Sequence, residues 1–564
     1  MNHLVVASRN RSVLTAWNLL LTAALGVAAA AACSAANGST SGAGTGGAGG
    51  SAGSGATDGG AGLAGASASG GAAGSDGGNQ TTVVIGPGAD ASAPGKFGGA
   101  ADASSPIDVV YPESGILVPP NMNSLEIHFV PSAGQTLFEL RFEAPSLNFV
   151  VYTGCSAVSG GCVFSADKQF WLELAESARG LAPVRYTIRG VNGASPSGVG
   201  ESTSHELTFV GDDLTGGLYY WNAASGSIMR YDFGYPLQTA SVFLKGNGPA
   251  DCLGCHVLSR DGTRMAVGRG MPGLSYTVYD VATRTPLNVN GKNVAGAGSF
   301  FAFSAPDPTD FLFSGGPAIK WMDLTTGAIK NGNLTPGSMP DWSPAGDEIV
   351  YAKGGGVQGP TGVTNASLEL LHFDTTNRVW NNPRTLVPFA GQNNYYPTFD
   401  PSGNWVLFNR SPGNHDSYEN IGIGDGGPGD GELWMVNAKT GGNPIRLDRA
   451  TLPGSTSWPK FAPALASYWG GSVVWITFSS ERAYGLRKPE NGGVQLWMTA
   501  IDLDKAQAGQ DPSFPAFWLP FQDMKTGNHI AQWVTTVVRK PCAKSTDCEG
   551  GETCANGQCV PVIK

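Results

Sequence analysis

The residues Cys252-Leu253-Gly254-Cys255-His256 carry the sharpest chemical signal in the sequence. Two thiols at this spacing can bond to the two vinyl groups of one porphyrin, and the imidazole beside the second thiol can reach the iron. The pentapeptide therefore predicts a covalent haem c, with Cys252 and Cys255 as the attachment points and His256 as the proximal iron ligand. The alternative is a Cys252–Cys255 disulfide in a tight loop, with His256 as an ordinary turn residue.

The overall composition excludes several classes of function. The chain has 564 residues, a formal net charge of −10 and only 14% charged residues, so the sequence offers no basic face for nucleic acid. The sequence contains no Gly-x-Ser-x-Gly, no His-Glu-x-x-His and no phosphate-binding glycine-rich loop, which argues against the enzymes that depend on them. If the protein is an enzyme, a haem-dependent oxidoreductase is the class that remains.

The amino terminus has the pattern of an export signal. Two arginines precede an apolar run from Val13 to Ala32, which predicts a signal peptide over residues 1–32 rather than a membrane span. The alanines before Cys33 resemble a bacterial lipoprotein signal, although Ala30 replaces the usual leucine. This resemblance implies that Cys33 is lipidated and that the protein is held at the cell envelope, in the outer membrane or at the cell surface. The alternative is cleavage that releases a soluble periplasmic or secreted protein.

Residues 33–104 consist largely of Gly, Ala, Ser, Asp and Thr. Such a segment has too little apolar surface to offset the entropy of ordering, so we expect a disordered tether. Its composition resembles that of the tethers in myxobacterial and related surface proteins.

Residues 105–212 alternate apolar and polar side chains in short runs, which predicts an antiparallel β-sandwich. The segment resembles bacterial immunoglobulin-like or fibronectin type III-like modules, whose usual roles are spacing and adhesion. Cys155 and Cys162 flank a Gly-Gly turn and are expected to form a local disulfide. His128 lies within a run and is expected to be structural. The predicted strands cover residues 125–129, 137–142, 149–152, 170–174, 186–189 and 206–209.

Residues 213–540 repeat a strand-turn-strand unit. The turns at Ser259-Arg260-Asp261-Gly262, 343–346 and 400–403 each join two apolar runs, and similar units recur roughly every 40 to 60 residues. This period is typical of propeller blades, and about six are expected. The outer pair at 218–233 and a last inner pair, around 517–519 and 530–537, should complete one blade together. The units resemble the blades of the TolB-like, WD40-like propeller family.

The repeat register predicts where the haem lies. Aligning Ser259 with Ser343 sets His256 level with Pro340, and the corresponding residues of later repeats are Pro397 and Pro459. Because these positions enter the innermost strands, they should converge at one mouth of the central channel. Candidates for the second iron ligand, in order of preference, are His529, Met339, Met271 and His415.

The last residues, 541–564, form a small cysteine-rich tail. Cys542, Cys548, Cys554 and Cys559 are expected to form two disulfides, with zinc as the rival ligand. In the preceding repeat segment, Asp425, Asp430 and Glu432 lie in a glycine-rich stretch that offers a weak Ca²⁺ signal without the spacing of an EF-hand.

Together these observations predict an all-β protein: a tether, an immunoglobulin-like sandwich, a six-bladed β-propeller and a disulfide-rich tail. The first functional hypothesis is an exported, lipid-anchored haem protein that transfers electrons outside the cytoplasm to a redox partner protein. The second is a propeller scaffold that binds protein or glycan and carries a Cys252–Cys255 disulfide. The third is a haem enzyme with an open sixth iron position.

Overall fold

The computed structural model describes residues 81–122, 125–235, 239–246, 253–269, 275–354, 363–412, 431–451, 456–488, 493–548 and 552–562. The predictions for the export signal, Cys33 and Cys252 lie outside these residues. The fold is mostly β, as the alternating sequence pattern predicts.

Two sheets form the amino-terminal module. Phe129 of the smaller sheet packs against Phe138 of the larger sheet at 4.9 Å between ring centroids, within one shared apolar core. The larger sheet has the strand order Thr81–Ile85, Leu147–Gly154, Leu137–Ala144, Val184–Val191, His205–Phe209 and Ile116–Val118, with Gly200–Glu201 also paired to Val184–Val191. The smaller sheet has the order Asp108–Tyr111, Glu126–Val130, Gly161–Ser165 and Ser156–Val158.

One predicted strand of this module is a helix. Residues 170–174 lie within the α-helix Lys168–Ala178, and Asp167 caps it by accepting hydrogen bonds from the backbone N–H groups of Gln169 and Phe170. The short run Phe-Trp-Leu-Glu-Leu alternates, but the longer window follows the helical period, because the buried residues fall at 170, 171, 174, 175 and 178. The prediction of a strand here was wrong because it rested on too short a window.

The module also begins earlier than predicted. Thr81–Ile85, inside the segment 33–104 predicted to be a disordered tether, pairs in parallel with Leu147–Gly154. The short 3₁₀-helix Ala93–Phe97 buries Phe97 against Tyr152, with ring centroids 5.5 Å apart. Residues 81–104 therefore belong to the folded module, since a few apolar side chains among the glycines are enough to order them against it.

The described part of residues 213–540 forms six sheets, numbered here as ring sheets 1 to 6 in chain order. Ring sheet 1 contains Gly217–Asn222, Ser227–Asp232, Ser241–Leu244 and Asn528–Val534; ring sheet 2 contains Leu253–Leu258, Arg264–Arg269, Ser275–Asp280, Thr285–Pro286 and Ala295–Ala297; ring sheet 3 contains Ser299–Phe303, Asp310–Ser314, Ala318–Asp323 and Ala328–Pro336. Ring sheet 4 contains Ser338–Trp342, Glu348–Lys353, Ser367–Asp374 and Val379–Val387; ring sheet 5 contains Gln392–Phe399, Trp405–Pro412, Glu432–Asn437 and Gly441–Arg446; ring sheet 6 contains Ser457–Tyr468, Gly471–Ser480, Gln495–Asp502 and Phe517–Trp518.

Smaller elements complete the described chain. They are the two-stranded hairpin Asn288–Val289 and Lys292–Asn293, the α-helix Leu503–Gln507, the 3₁₀-helix Ser545–Asp547 and the tail hairpin Glu552–Ala555 and Gln558–Pro561.

The ring sheets close on themselves. The innermost strand of each sheet contacts the innermost strands of the sheets before and after it, in a circular order. Ring sheet 1 joins both ends of the repeat segment, because Asn528–Val534 pairs with Gly217–Asn222. The two ends of the repeat segment therefore share one sheet, as predicted. The prediction that residues 517–519 also belong to this closing sheet was wrong. Phe517–Trp518 is the outer strand of ring sheet 6, where it pairs with Gln495–Asp502.

A cluster of polar side chains joins the amino-terminal module to the ring. His128 is fully buried, its Nε2 lies 2.9 Å from Glu126 Oε2, and its Nδ1 accepts the backbone N–H of Leu486 at 3.0 Å. Arg487 donates to both Glu126 oxygens at 3.0 and 3.2 Å. Burial alone would raise the pKa of Glu126, but the hydrogen bonds from His128 and Arg487 outweigh it and lower that pKa to about 2. His128 is thus structural.

Gly485 is expected to be required at this junction. Its φ is +56°, and a Cβ there would lie 2.2 Å from His128 Nδ1. We expect Gly485→Ala to lower the free energy of unfolding by about 1–3 kcal/mol, measured by urea unfolding, because the clash displaces His128. Gly134→Ala is the matched control, since Gly134 has φ +85° but open space around it. Equal losses in the two variants would show that backbone strain, not the junction, is responsible.

Candidate functional site

A cavity of about 50 Å³ lies where the innermost strands of the six ring sheets meet. The residues predicted to share one level, His256, Pro340, Pro397 and Pro459, all line it. The alignment of repeats therefore identified residues that converge in space. The other lining residues are Cys255, Val257, Phe300, Phe301, Met339, Tyr396, Trp458, Lys460, Ile530 and Gln532.

A β-bulge in each innermost strand shapes this cavity. In five of these strands, within the described residues, a non-glycine residue just before the aligned position has a left-handed backbone, with φ between +44° and +56°. Such conformations cost of order 1–3 kcal/mol each for a side chain with a Cβ, and bulges commonly redirect side chains next to functional sites. These residues are Phe300, Met339, Tyr396, Trp458 and Ile530, and all five line the cavity.

Cys255 occupies the equivalent place in ring sheet 2. The pairing of Leu253–Leu258 with Arg264–Arg269 shifts register between Leu253 and His256, so the bulge contains Cys255. Cys255 is a free thiol and packs against the apolar cluster between ring sheets 1 and 2. Desolvation raises the pKa of this partly exposed thiol to about 11, so the protonated thiol predominates at neutral pH.

His256 is 3% exposed, and neither of its ring nitrogens forms a hydrogen bond with a described residue. Burial lowers the pKa of His256 from 6.5 to about 4, and the nearby backbone of Tyr219 and Gly254 offsets part of this shift. The imidazole is therefore neutral at physiological pH, which is the form that binds a metal. A buried imidazole without hydrogen bonds is costly unless a ligand compensates it, so this side chain is the strongest indication of a bound group.

Aromatic side chains fill the centre of the ring. Tyr396 stacks on Trp458 with centroids 3.8 Å apart and planes at 22°, and Phe300 stacks on Trp458 at 5.9 Å. Met339 lies at the same level, where its Sδ accepts the backbone N–H of Tyr396 at 3.5 Å. Trp458 thus lies at the axis of the ring, where it contacts residues of two other ring sheets.

The candidates for the second iron ligand lie in different places in the structure. Met339 lines the cavity with Cys255 and His256, whereas His529 is not among the lining residues. The strand Asn528–Val534 alternates, so Ile530 and Gln532 face the cavity while His529 packs against Trp221 at 5.3 Å. Burial lowers the pKa of His529 to about 4. Met271 and His415 lie outside the described residues.

A layer of charged side chains, which the sequence analysis did not predict, borders the cavity. Asp341 accepts the backbone N–H of Phe399 at 2.8 Å, and its carboxylate lies 3.5 Å from Lys460 and 3.6 Å from Arg260. The available signal was positional, because Asp341 and Lys460 each follow an aligned proline. This charge cluster connects four ring sheets and balances the lysine that lines the cavity.

The remaining predicted sites lie elsewhere. Cys155 pairs with Cys162, which confirms the local disulfide, and the tail forms two disulfides, Cys542–Cys554 and Cys548–Cys559. The sulfur atoms of Cys542, Cys548 and Cys559 lie within 4.8 Å of one another because these disulfides are adjacent. Of the three residues in the calcium prediction, only Glu432 lies in the described chain, where it bonds Arg446 at 3.0 Å. Asp425 and Asp430 lie outside it.

The described residues fit haem c in one respect and not in another. The free thiol of Cys255 and the neutral imidazole of His256 are two of the three groups that attachment of haem c uses, and the third, the thiol of Cys252, lies outside the described residues. A cavity of about 50 Å³ holds a few water molecules, but it cannot enclose a porphyrin. The described residues therefore supply ligands for haem but no enclosure for its ring.

Comparisons with known proteins leave the family open. No protein-family model matches the chain, and no curated protein matches it. Among solved structures, the chain is similar to "Crystal structure of Nidogen/Laminin Complex", with 12% identity, 57% of this chain and 99% of that chain covered, and a TM-score of 0.34. It is also similar to "Crystal Structure of Mitotic Checkpoint Complex", with 12% identity, 54% and 87% covered, and a TM-score of 0.26.

Among the described residues, no helix is both long enough and apolar enough to cross a membrane.

Proposed function

We propose that the protein is an exported haem protein that transfers electrons outside the cytoplasm, with haem c held across the mouth of a six-bladed, TolB-like propeller. The observation that carries the proposal is His256, a buried neutral imidazole whose nitrogens make no well-formed hydrogen bond with a described residue, although the backbone of Tyr219 and Gly254 lies close enough to affect its pKa. It lies next to a free thiol, within the spacing that haem attachment requires. Bound haem supplies a one-electron iron centre.

The roles of the chain's own residues follow from their positions. Cys252 and Cys255 attach the haem, and His256 is the proximal ligand. Met339 replaces His529 as the preferred second ligand, because Met339 lines the cavity that contains Cys255 and His256. The six ring sheets are the blades, and the closing pairing of Asn528–Val534 with Gly217–Asn222 supports this assignment.

The other segments place this centre at a membrane. Cys33 carries the lipid anchor, and the stretch before residue 81 is the tether. The amino-terminal module is an immunoglobulin-like spacer that docks on the ring through Glu126 and Arg487. A redox partner protein reaches the haem at the mouth of the ring lined by His256 and Pro340.

The test is covalent haem staining of the full chain, made in a periplasm with cytochrome c maturation and run on a denaturing gel. We expect the stain to remain with the protein and to disappear in Cys252→Ala/Cys255→Ala, because thioether bonds survive denaturation. Cys155→Ala/Cys162→Ala is the matched control, since it removes another close cysteine pair and should keep the stain. A folded but colourless protein would contradict the proposal.

One observation favours a second function, a scaffold for protein or glycan. The stacked aromatic residues fill the ring, and the remaining cavity is small. The Cys252–Cys255 disulfide expected for such a scaffold is not formed in the structure, where the Cys255 thiol is free. For a scaffold, the colourless outcome above is the expected one.

Carbon monoxide separates electron transfer from haem enzyme activity. With Met339 on the iron, we expect the reduced protein to bind carbon monoxide slowly or not at all, and Met339→Ala to bind it readily. Rapid binding by the unaltered protein would instead indicate an open sixth position and a haem-dependent oxidoreductase.

A further inference from the structure

The carboxy-terminal tail presents one glutamate to the ring. Two disulfides, Cys542–Cys554 and Cys548–Cys559, fasten the hairpin of Glu552–Ala555 and Gln558–Pro561 to the segment that precedes it. A segment this short has no core of its own, so the disulfides determine its shape. Glu552 is the first residue of the hairpin, and its side chain is 3% exposed.

Glu552 is buried between two arginines. Arg284 Nη2 donates to both carboxylate oxygens of Glu552 at 3.0 Å, and Arg230 Nη2 donates to one of them. The side chains of Arg230 and Arg284 are 2% and 7% exposed. The guanidinium carbons of both arginines lie over the ring of Phe243, at 5.7 and 5.0 Å from its centroid. The three side chains thus form a buried Arg-Glu-Arg triad, and both arginines make cation–π contacts with Phe243.

The two arginines belong to different ring sheets. Arg230 lies on Ser227–Asp232 of ring sheet 1, and Arg284 lies in the turn that leads to Thr285–Pro286 of ring sheet 2. The chain between the ring and the tail is also fastened to ring sheet 1, because Arg539 bonds Asp232. The tail therefore connects the sheet that closes the ring to the sheet that follows it.

We propose that the tail is a clasp that keeps the boundary between ring sheets 1 and 2 shut through Glu552. The innermost strand of ring sheet 1 is Asn528–Val534. The chain continues from this strand into the tail, and Glu552 of the tail then contacts Arg230 of ring sheet 1 and Arg284 of ring sheet 2. The boundary encloses the apolar cluster that contains Phe243, Leu253 and Cys255. The clasp thus holds ring sheets 1 and 2 together beside Cys255, and it acts whether or not haem is attached.

Hydrogen–deuterium exchange of the full chain tests the clasp. We expect Glu552→Gln to speed exchange in Ser241–Leu244 and Leu253–Leu258 about tenfold or more, because two buried guanidinium groups lose their countercharge. Exchange in Ser338–Trp342 of ring sheet 4 should not change. Glu143→Gln, which alters an exposed glutamate of the amino-terminal module, is the matched control and should leave all three strands unchanged.

Two further variants keep the test decisive if Glu552→Gln folds poorly. Glu552→Asp retains the charge on a shorter side chain and should give a smaller increase in the same two strands. A chain that ends at Lys540 removes the tail and should give the increase seen for Glu552→Gln. Unchanged exchange at the boundary in the shortened chain would overturn the proposal, and so would an increase spread evenly over all six ring sheets.

Discussion

A chain that ends at residue 527 is expected to lose the folded ring. The truncation removes Asn528–Val534, the innermost strand of ring sheet 1. Its partner Gly217–Asn222 would then expose a row of backbone N–H and C=O groups, together with side chains that are now buried. Ile530 would also leave the central cavity. These losses together exceed the roughly 5–15 kcal/mol by which a typical domain is stable.

Circular dichroism and thermal unfolding measure this loss. The control is the chain that ends at Lys540, which keeps the closing strand and lacks only the tail. We expect that control to unfold cooperatively at a lowered temperature, while the shorter chain is insoluble or shows no cooperative transition. A cooperative transition of normal size in the shorter chain would show that the ring does not depend on pairing between its two ends.

Mild acid is expected to destabilise the protein through two buried histidines. Burial lowers the pKa values of His256 and His529 from 6.5 to about 4. Between these values the unfolded chain binds a proton at each histidine and the native chain does not, so the free energy of unfolding falls as the pH falls. At pH 5 the loss is about 2 kcal/mol for each histidine, and above pH 6.5 there is no loss.

Two carboxylates bear on this effect in different ways. Glu126 has a pKa of about 2 in the folded protein and 4.5 unfolded, so its contribution is lost only as the pH falls below about 4.5. Burial raises the pKa of Glu481, so the protonation of Glu481 opposes part of the histidine effect as the pH falls.

Urea unfolding at pH 7 and pH 5 measures the histidine effect. We expect His256→Gln and His529→Gln each to reduce the difference between the two pH values by about 2 kcal/mol. Burial also lowers the pKa of His205, so this histidine adds to the difference in the same direction. A pH difference of unchanged size in the double variant His256→Gln/His529→Gln would rule out these two histidines as its source. In protein with attached haem, loss of the His256 ligand in acid is followed separately by the absorbance of the iron centre.

Local errors in the sequence analysis came from contacts between distant segments. Residues 170–174 alternate like a strand, but Asp167 caps a helix whose apolar face packs into the module. Phe517–Trp518 resembles the start of a closing pair, but it completes ring sheet 6. Short runs of apolar residues fit more than one pairing, and the partner strands decide between them.

At the candidate site too, the sequence predicted some features correctly, and contacts between distant segments decided others. The register of the repeats identified His256, Pro340, Pro397 and Pro459 as neighbours, because equivalent positions of a repeat occupy equivalent places around a closed ring. It favoured His529 over Met339, because alignment along the chain does not indicate to which side of a bulged strand a side chain points. The bulge turns Met339 toward the cavity, and alternation turns His529 toward Trp221.

By itself, the sequence determined that the protein is mostly β, that its repeats share one register and that the pentapeptide Cys252-Leu253-Gly254-Cys255-His256, whose spacing predicts haem attachment, lies at the start of one of them. These features are encoded locally, in the period of apolar residues and in the spacing of reactive side chains. Only the tertiary structure decided which strands close the ring, which cysteines pair in the tail, that Glu552 lies between Arg230 and Arg284, and that His256 is buried without hydrogen bonds. Each of these depends on segments far apart in the chain, and burial and pairing between such segments are properties of the assembled fold.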